Sequence, residues 1–296
     1  MERGKAKGSL LLSMVIFGTI GLVRRAIPYS SAMVAFFRGA IATILLLAFH
    51  FIRRKHFDWK NLKANMAKLL FSGALIGFNW VLLFESYRYT TVSIATVCYY
   101  MAPVFIMIAS PFTLHEKITA KKAICIVLAL LGVVLVSGIL SPKTEQSQNN
   151  LIGVLLGLSA ALLYACVVNI NKRIQNVDGM DRTIFQMGPA AIAVLPYWLL
   201  TDNLGAIQIE AGPLAWLLFA AVINTALAYE LYFGAIEHVS AQTAALMSYI
   251  DPVVAIILSA TVLGEQMDIW AALGIVLVLC SAVAGEIEPR NTESTK

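Results

Sequence analysis

The amino-acid sequence predicts an all-α polytopic membrane protein: ten transmembrane helices built as two inverted five-helix repeats. Three observations carry that prediction. Hydrophobic residues make up 59% of the 296 residues and charged residues 13%, where a soluble domain carries about 25% charged. Too few polar side chains are present to cover a water-facing surface. Apolar runs of about 20 residues, the length that crosses a bilayer, recur along the chain. Finally, Tyr249 to Glu265 repeats Tyr100 to Glu116 without gaps: Tyr100/Tyr249, Pro103/Pro252, Val104/Val253, Ile108/Ile257, Ser110/Ser259, Leu114/Leu263 and Glu116/Glu265 are identical pairs. Shared greasiness does not place a proline, a tyrosine, a serine and a glutamate in register.

Taken in order, the spans are expected at 8 to 27, 31 to 52, 67 to 88, 91 to 113, 120 to 139, 151 to 171, 183 to 200, 213 to 236, 240 to 262 and 268 to 285. The first follows a basic start and runs on without a small-residue cleavage pattern before Arg24-Arg25, so it reads as a membrane helix and not as a cleaved signal. Turn and capping residues separate the others: Pro28 to Ser31, Thr90-Thr91, Ser141-Pro142 to Asn150, and Thr201 to Asn203. Short connectors make neighbouring helices antiparallel. The units expected are a first repeat at 1–140, an external hydrophilic linker at 141–150, a second repeat at 151–286 and a cytoplasmic tail at 287–296.

Basic residues orient the chain. With the N-terminus inside, the cytoplasmic side collects Arg3, Lys5, Lys7, Arg53, Arg54, Lys55, Lys60, Lys63, Lys68, Lys117, Lys121, Lys122, Lys172, Arg173, Arg182, Arg290 and Lys296, and the outside only Arg24, Arg25, Arg88 and Lys143. Both termini are therefore expected in the cytoplasm. Five spans per repeat make the second copy enter from the opposite side, an arrangement recurrent in secondary transporters, with substrate bound near the midplane. The net charge of +5 sits in short connectors, which insertion topology explains without a nucleic-acid partner. Cys98, Cys125, Cys166 and Cys280 lie singly in separate apolar runs and His50, His56, His115 and His238 at helix ends or in loops, so neither a disulfide framework, a metal site nor a cofactor is expected. Gly73/Gly77 and Gly153/Gly157 permit close helix approach, within the bundle or across a weak homodimer; a monomer or weak homodimer in the lipid bilayer is expected.

The chain also resembles the EamA-type transporters of the drug/metabolite transporter superfamily. The resemblance covers essentially the whole chain and rests on a proline followed thirteen residues later by glutamate and then by small residues: Pro103, Glu116, Gly132, and again Pro252, Gly264-Glu265, Gly274. Arg38-Gly39 fits as well, although the second repeat has Met187-Gly188 at the matching place. It implies ATP-independent export or exchange of amino acids, other small metabolites or amphiphilic drugs, in a bacterial cytoplasmic membrane.

A charged side chain at membrane depth is functional by default. With a rise of about 1.5 Å per residue, Arg38, Asn79, Tyr100, Asp251 and Asn224 fall between about 10 and 16 Å below the outer face. Two readings stand side by side. In one, these residues line a cavity in which Arg38 or Asp251 meets the charged end of a small-molecule substrate while Trp80, Tyr99, Tyr100, Tyr229 and Tyr249 meet its apolar body. In the other, Arg38 and Asp251 form a buried ion pair and the amides satisfy backbone carbonyls. Asp251 and Glu230 are the candidates for carrying a coupled proton. Pro103 and Pro252 weaken mid-helix hydrogen bonds, Pro252 freeing the carbonyl of Ser248, and serve as hinges or as fixed kinks. Glu116 and Glu265 precede helices five and ten and are expected as helix caps. Trp59, Trp198, Trp216 and Trp270 lie near the expected interfaces and are expected as anchors, and Glu85 beside Arg88 is expected as an interfacial charge. The expected function is secondary transport. A membrane-embedded enzyme or a non-transporting receptor or scaffold is the alternative, although no catalytic pair of side chains at one depth and no phosphate-cradling loop is found.

Overall fold

The computed structural model describes residues 3–54, 56–113, 119–137, 145–203, 208–236, 238–239 and 241–286. Glu116 lies outside them. Every regular element described is helical: α1 (Arg3–Gly18), α2 (Ile20–Arg25), α3 (Ser31–Ile52), α4 (Trp59–Tyr89), α5 (Val92–Tyr99), α6 (Ala102–Thr113), α7 (Ala120–Val136), α8 (Glu145–Asn171), α9 (Gly179–Thr201), α10 (Ala211–Ala221), a π-helical stretch Val222–Leu227, α11 (Ala228–Ile236), α12 (Ala241–Ser248), α13 (Ile250–Thr261) and α14 (Ile269–Glu286). Among the described residues, 7 helical stretches are long and apolar enough to cross a membrane. Shorter apolar helices accompany them.

These elements trace the ten expected spans, and four of the ten are interrupted. The first breaks at Thr19, the fourth at Tyr100 and Met101, the eighth passes through the π stretch, and the ninth breaks at Tyr249. The two prolines of the repeat are thus not in mid-helix. Pro103 and Pro252 stand in the first turns of α6 and α13, where a missing N–H removes no intrahelical bond. The chain restarts its helix at the proline instead of bending through it.

Two boundaries also differ from expectation. The third span begins at Trp59 because Asp58 caps it, accepting the Asn61 N–H at 3.2 Å and an Asn61 amide hydrogen at 2.6 Å. The stretch expected as a linker at 141–150 is helical from Glu145, so its second half is the polar start of α8. Side-chain oxygens close other starts: Ser30 accepts from the Met33 N–H, Thr91 from Ile94 and Asp178 from Met180.

In packing, α4 lies against α8 and α9, α3 against α9 and the α10–π segment, α7 against α14, α1 against α11 and α13, α6 against α8, and α5 against α13. The glycine pairs belong to these contacts. A Cβ on Gly73 would meet the Gln186 carbonyl oxygen at 2.5 Å and one on Gly77 the Ala190 carbonyl oxygen at 2.5 Å, both on α9. Gly153 abuts Thr90 and Gly157 abuts Cys98. The small residues are used inside the bundle. Trp59, Trp216 and Trp270 are exposed, as interfacial anchors are. Trp198, expected among them, is instead buried, with its ring stacked on Phe36 and its Nε1–H donated to Asp202.

Candidate functional site

The first centre is Arg38, on α3 and only 5% exposed. Its Nε–H donates to Thr225 Oγ1 at 2.5 Å and an Nη2–H to the Asn224 carbonyl at 3.3 Å. Its Cζ lies 4.4 Å from the centroid of Trp80 and 5.6 Å from that of Phe84, an electrostatic contact that strengthens once water is excluded. The π-helical stretch supplies both oxygen acceptors. A π turn shifts the hydrogen-bond register and such turns gather at functional sites; here Thr225 Oγ1 also donates back to the Ala220 carbonyl at 2.9 Å. Among the described residues no ion pair joins Arg38 to Asp251. The expected alternative of a buried Arg38–Asp251 pair is not the observed arrangement.

Asp251 is the second centre. It sits half-buried in the first turn of α13, where the helix dipole favours a carboxylate. The Tyr100 hydroxyl lies 2.8 Å from Asp251 Oδ2 and 3.1 Å from the carbonyl of Ser248, and shares its proton between them. Ser248 ends α12, and Pro252, four residues on in the first turn of α13, has no N–H to offer the Ser248 carbonyl. The break in one repeat is therefore satisfied by the tyrosine at the break in the other. Tyr249 completes the junction, its ring 6.0 Å from that of Tyr100. A run of tyrosines leads away from it: Tyr100 to Tyr99 at 6.2 Å and Tyr99 to Tyr164 at 5.5 Å.

The remaining expected residues divide by what they touch. Asn79 is buried and donates to the Ala160 carbonyl at 2.6 Å, with the Tyr99 hydroxyl 3.5 Å from its oxygen; it ties α4 to α8. Asn224 donates from Nδ2 to the Ile16 carbonyl and to Thr19 Oγ1, both at 2.7 Å. It holds the π turn to the break in the first span. Tyr229 packs edge-on against Phe17 at 5.2 Å. Glu230 forms an ion pair with Arg53 at 2.8 Å, at the far end of α3.

Glu265 does act as a cap, but not of the helix that follows it. Its Oε2 accepts the Val92 N–H, the start of α5, at 2.7 Å and the Ser259 hydroxyl, while Oε1 pairs with Arg25 at 2.8 Å. The helix that follows, α14, is closed by Asp268, which accepts the Ala271 N–H at 2.6 Å. Glu85, expected as an interfacial charge beside Arg88, pairs with it at 2.9 Å.

Sequence reasoning missed Thr225, Thr19 and Phe84, which carry no signal beyond being neighbours of charged or kinked positions. His50 stands in the last turn of α3, at a helix end as expected, and is buried there, stacked on Phe57 at 3.9 Å, with Nδ1 3.2 Å from Asp181 Oδ1. A cavity of about 620 Å³ opens between α3, α9 and the Phe57–Trp59 turn. Its walls are Leu47, Phe51, Phe57, Trp59, Ile184 and Phe185 among others, and none of the expected site residues reaches it.

Comparison with known proteins accounts for this architecture. The model of the EamA-like transporter family matches twice, at residues 6–138 and 151–284. The chain belongs to that family. It is 29% identical over 278 residues to the Bacillus subtilis protein named uncharacterized transporter YxxF, covering 94% of this chain and 88% of that one. A Clostridium kluyveri protein named as an uncharacterized transporter is 28% identical over 265 residues, covering 86% and 82%. One from Archaeoglobus fulgidus, likewise named, is 24% identical over 287 residues, covering 96% of each chain. A protein of known crystal structure superposes with a TM-score of 0.63 at 14% identity, covering 95% of this chain and 97% of that one; at that identity the likeness shows the fold alone. The chain is thus a multi-pass membrane protein of a transporter family.

Proposed function

We propose that the protein is a secondary active transporter that exports a small metabolite, such as an amino acid, or an amphiphilic drug, by alternating access. The observation that carries the reading is the separation of Arg38 and Asp251. Two charges of opposite sign face aromatic surfaces at membrane depth without neutralising one another, so a zwitterion can meet one with its carboxylate and the other with its ammonium. Trp80 and the tyrosines at 99, 100, 229 and 249 then offer the apolar wall. Both termini are cytoplasmic and the membrane is the bacterial cytoplasmic membrane.

The two halves act as inverted repeats, and the packing supports this because contacts come in matched pairs. The second helix of each half meets its counterpart (α3 with α9), and so does the fifth (α7 with α14). First meets third in both senses (α1 with α11, α8 with α4), and first meets fourth likewise (α1 with α13, α8 with α6). The breaks at Tyr100 and Tyr249 let the halves rock, with Pro103 and Pro252 marking the hinges. Asp251 carries a coupled proton in preference to Glu230, because Glu230 is held by Arg53. The unit is a monomer, since its glycine pairs are consumed within the bundle.

The test is flux into proteoliposomes of purified protein, with labelled amino acids, sugars, nucleotides and organic cations, with and without a pH gradient. One class is expected to move in a protein-dependent, gradient-sensitive way, and Asp251→Asn to abolish the pH-driven part. Full pH-driven accumulation by Asp251→Asn would remove the carboxylate from the mechanism.

A further inference from the structure

At the end of the bundle where the first span closes, three arginines surround a small cavity. It measures about 160 Å³ and is lined by Arg24, Arg25, Ile27, Pro28, Tyr29, Phe84, Tyr87 and Arg88. That is well below the roughly 300–1,000 Å³ of sites for drug-sized molecules, and suits a single ion or one headgroup.

The charges there do not balance. Arg25 has Glu265 at 2.8 Å and Arg88 has Glu85 at 2.9 Å. Arg24, 5% exposed, has no carboxylate within ion-pair distance among the described residues. Its Nη groups go to neutral acceptors: the Ile27 carbonyl at 2.6 Å, the Tyr29 carbonyl at 3.1 Å and Ser31 Oγ at 3.1 Å. A guanidinium keeps its charge in proteins, and the nearest carboxylate reaches Arg24 only through Ser31, whose hydroxyl donates to Glu85 Oε2 at 2.7 Å while Glu85 Oε1 is engaged by Arg88; three arginines thus share two glutamates. Two donors of this cavity's wall are also left over. Arg24 Nε–H and the Tyr29 hydroxyl are buried and have no hydrogen-bond partner among the described residues. A positive cavity with two unused donors and no acceptor for them is complementary to an oxyanion, which accepts several such bonds at once.

We infer that this cavity is a binding site for a small oxyanion, a phosphate or carboxylate group, held by Arg24 and Tyr29 with Arg88 at its rim. Phe84 lies beneath it and separates it from Arg38, whose guanidinium is 5.6 Å from the same ring. The site is distinct from Arg38 and Asp251 and does not depend on what those two residues bind.

Titration of inorganic phosphate into the detergent-purified protein at low ionic strength, followed by calorimetry, tests it. Saturable binding is expected. Tyr29→Phe removes a hydroxyl that bonds nothing among the described residues, so its thermal stability should equal that of the wild type while its phosphate affinity falls about tenfold. Arg88→Gln, at an exposed position, should weaken binding too, and Arg38→Gln should not. The same titration in nanodiscs identifies the natural source of the group. Competition by phosphatidylglycerol, absent with phosphatidylcholine, assigns the site to a lipid headgroup, and equal binding in both assigns it to a dissolved anion. No saturable phosphate binding by the wild type, or wild-type affinity in both Tyr29→Phe and Arg88→Gln, overturns the inference.

Discussion

Glu265→Ala is the substitution that tests how the two halves are locked together. In the native protein this carboxylate, 13% exposed, accepts the Val92 N–H at the start of α5, accepts the Ser259 hydroxyl, and pairs with Arg25. A hydrogen bond to a charged group contributes about 1.5–3 kcal/mol. The Arg25 pair is discounted to about 0–1 kcal/mol because the arginine is 36% exposed. With two such bonds and the pair, removing the side chain should therefore cost about 3–7 kcal/mol. Glu265→Gln keeps one carbonyl acceptor for Val92 and should cost about half as much. Equilibrium unfolding in mixed micelles measures both, and an Arg25→Gln/Glu265→Gln double-mutant cycle isolates the ion pair. If Glu265 instead capped the helix after it, combining Glu265→Ala with Asp268→Ala would give coupled losses at α14, and combining it with Thr91→Ala would give additive ones. That pattern, or wild-type stability for Glu265→Ala, would refute the assignment to α5.

Three further outcomes follow from the same geometry. Tyr100→Phe leaves the Ser248 carbonyl and Asp251 Oδ2 without their shared donor and should destabilise by about 1–3 kcal/mol; a melting temperature equal to that of the wild type would show that the hydroxyl satisfies neither. Gly77→Ala drives a Cβ to 2.5 Å from the Ala190 carbonyl oxygen and should cost about 1–3 kcal/mol by overpacking, whereas Gly234→Ala, with nothing within 4 Å of its Cβ, should be neutral or stabilising in the same assay. Asp58 is held below the usual carboxylate range, first by the Asn61 N–H and then by the Asn61 side chain. Its contribution is present above the unfolded value of about 4 and is lost as pH falls through the lowered folded value, so the difference in melting temperature between wild type and Asp58→Ala should shrink on acidification and stay constant from pH 6 to 8.

Much of the fold was legible because its cause is one-dimensional. A bilayer demands about 20 apolar residues per crossing whatever the neighbours are, so the spans appear in hydropathy, and the repeat appears in the register of Tyr100, Pro103 and Glu116 against Tyr249, Pro252 and Glu265. The charged residues at depth, Arg38 and Asp251, were equally visible, since each interrupts an apolar run. The helix interruptions were only half visible. Proline marks a place where a backbone bond is lost, but whether the helix bends through it or restarts at it depends on who takes the freed carbonyl. That partner, Tyr100 for Ser248, comes from 148 residues away. The π turn at 222–227 has no sequence signal in its own residues, because it is stabilised by Arg38 from α3.

Glu265 and Trp198 show the same division. Sequence position identified a carboxylate beside a helix start and an indole near a helix end, and local chemistry assigned them as cap and anchor. Tertiary packing brought a second helix start, α5, nearer to Glu265 than the one that follows it, and folded Asp202 and Phe36 over Trp198. What the sequence by itself determined is therefore where the chain crosses, that its unit is duplicated, and which side chains are too costly to be incidental in lipid. Which of those side chains meet was decided only by the tertiary structure, because hydrogen-bond partners and uncompensated charge are properties of positions in space, and helices distant in sequence supply them.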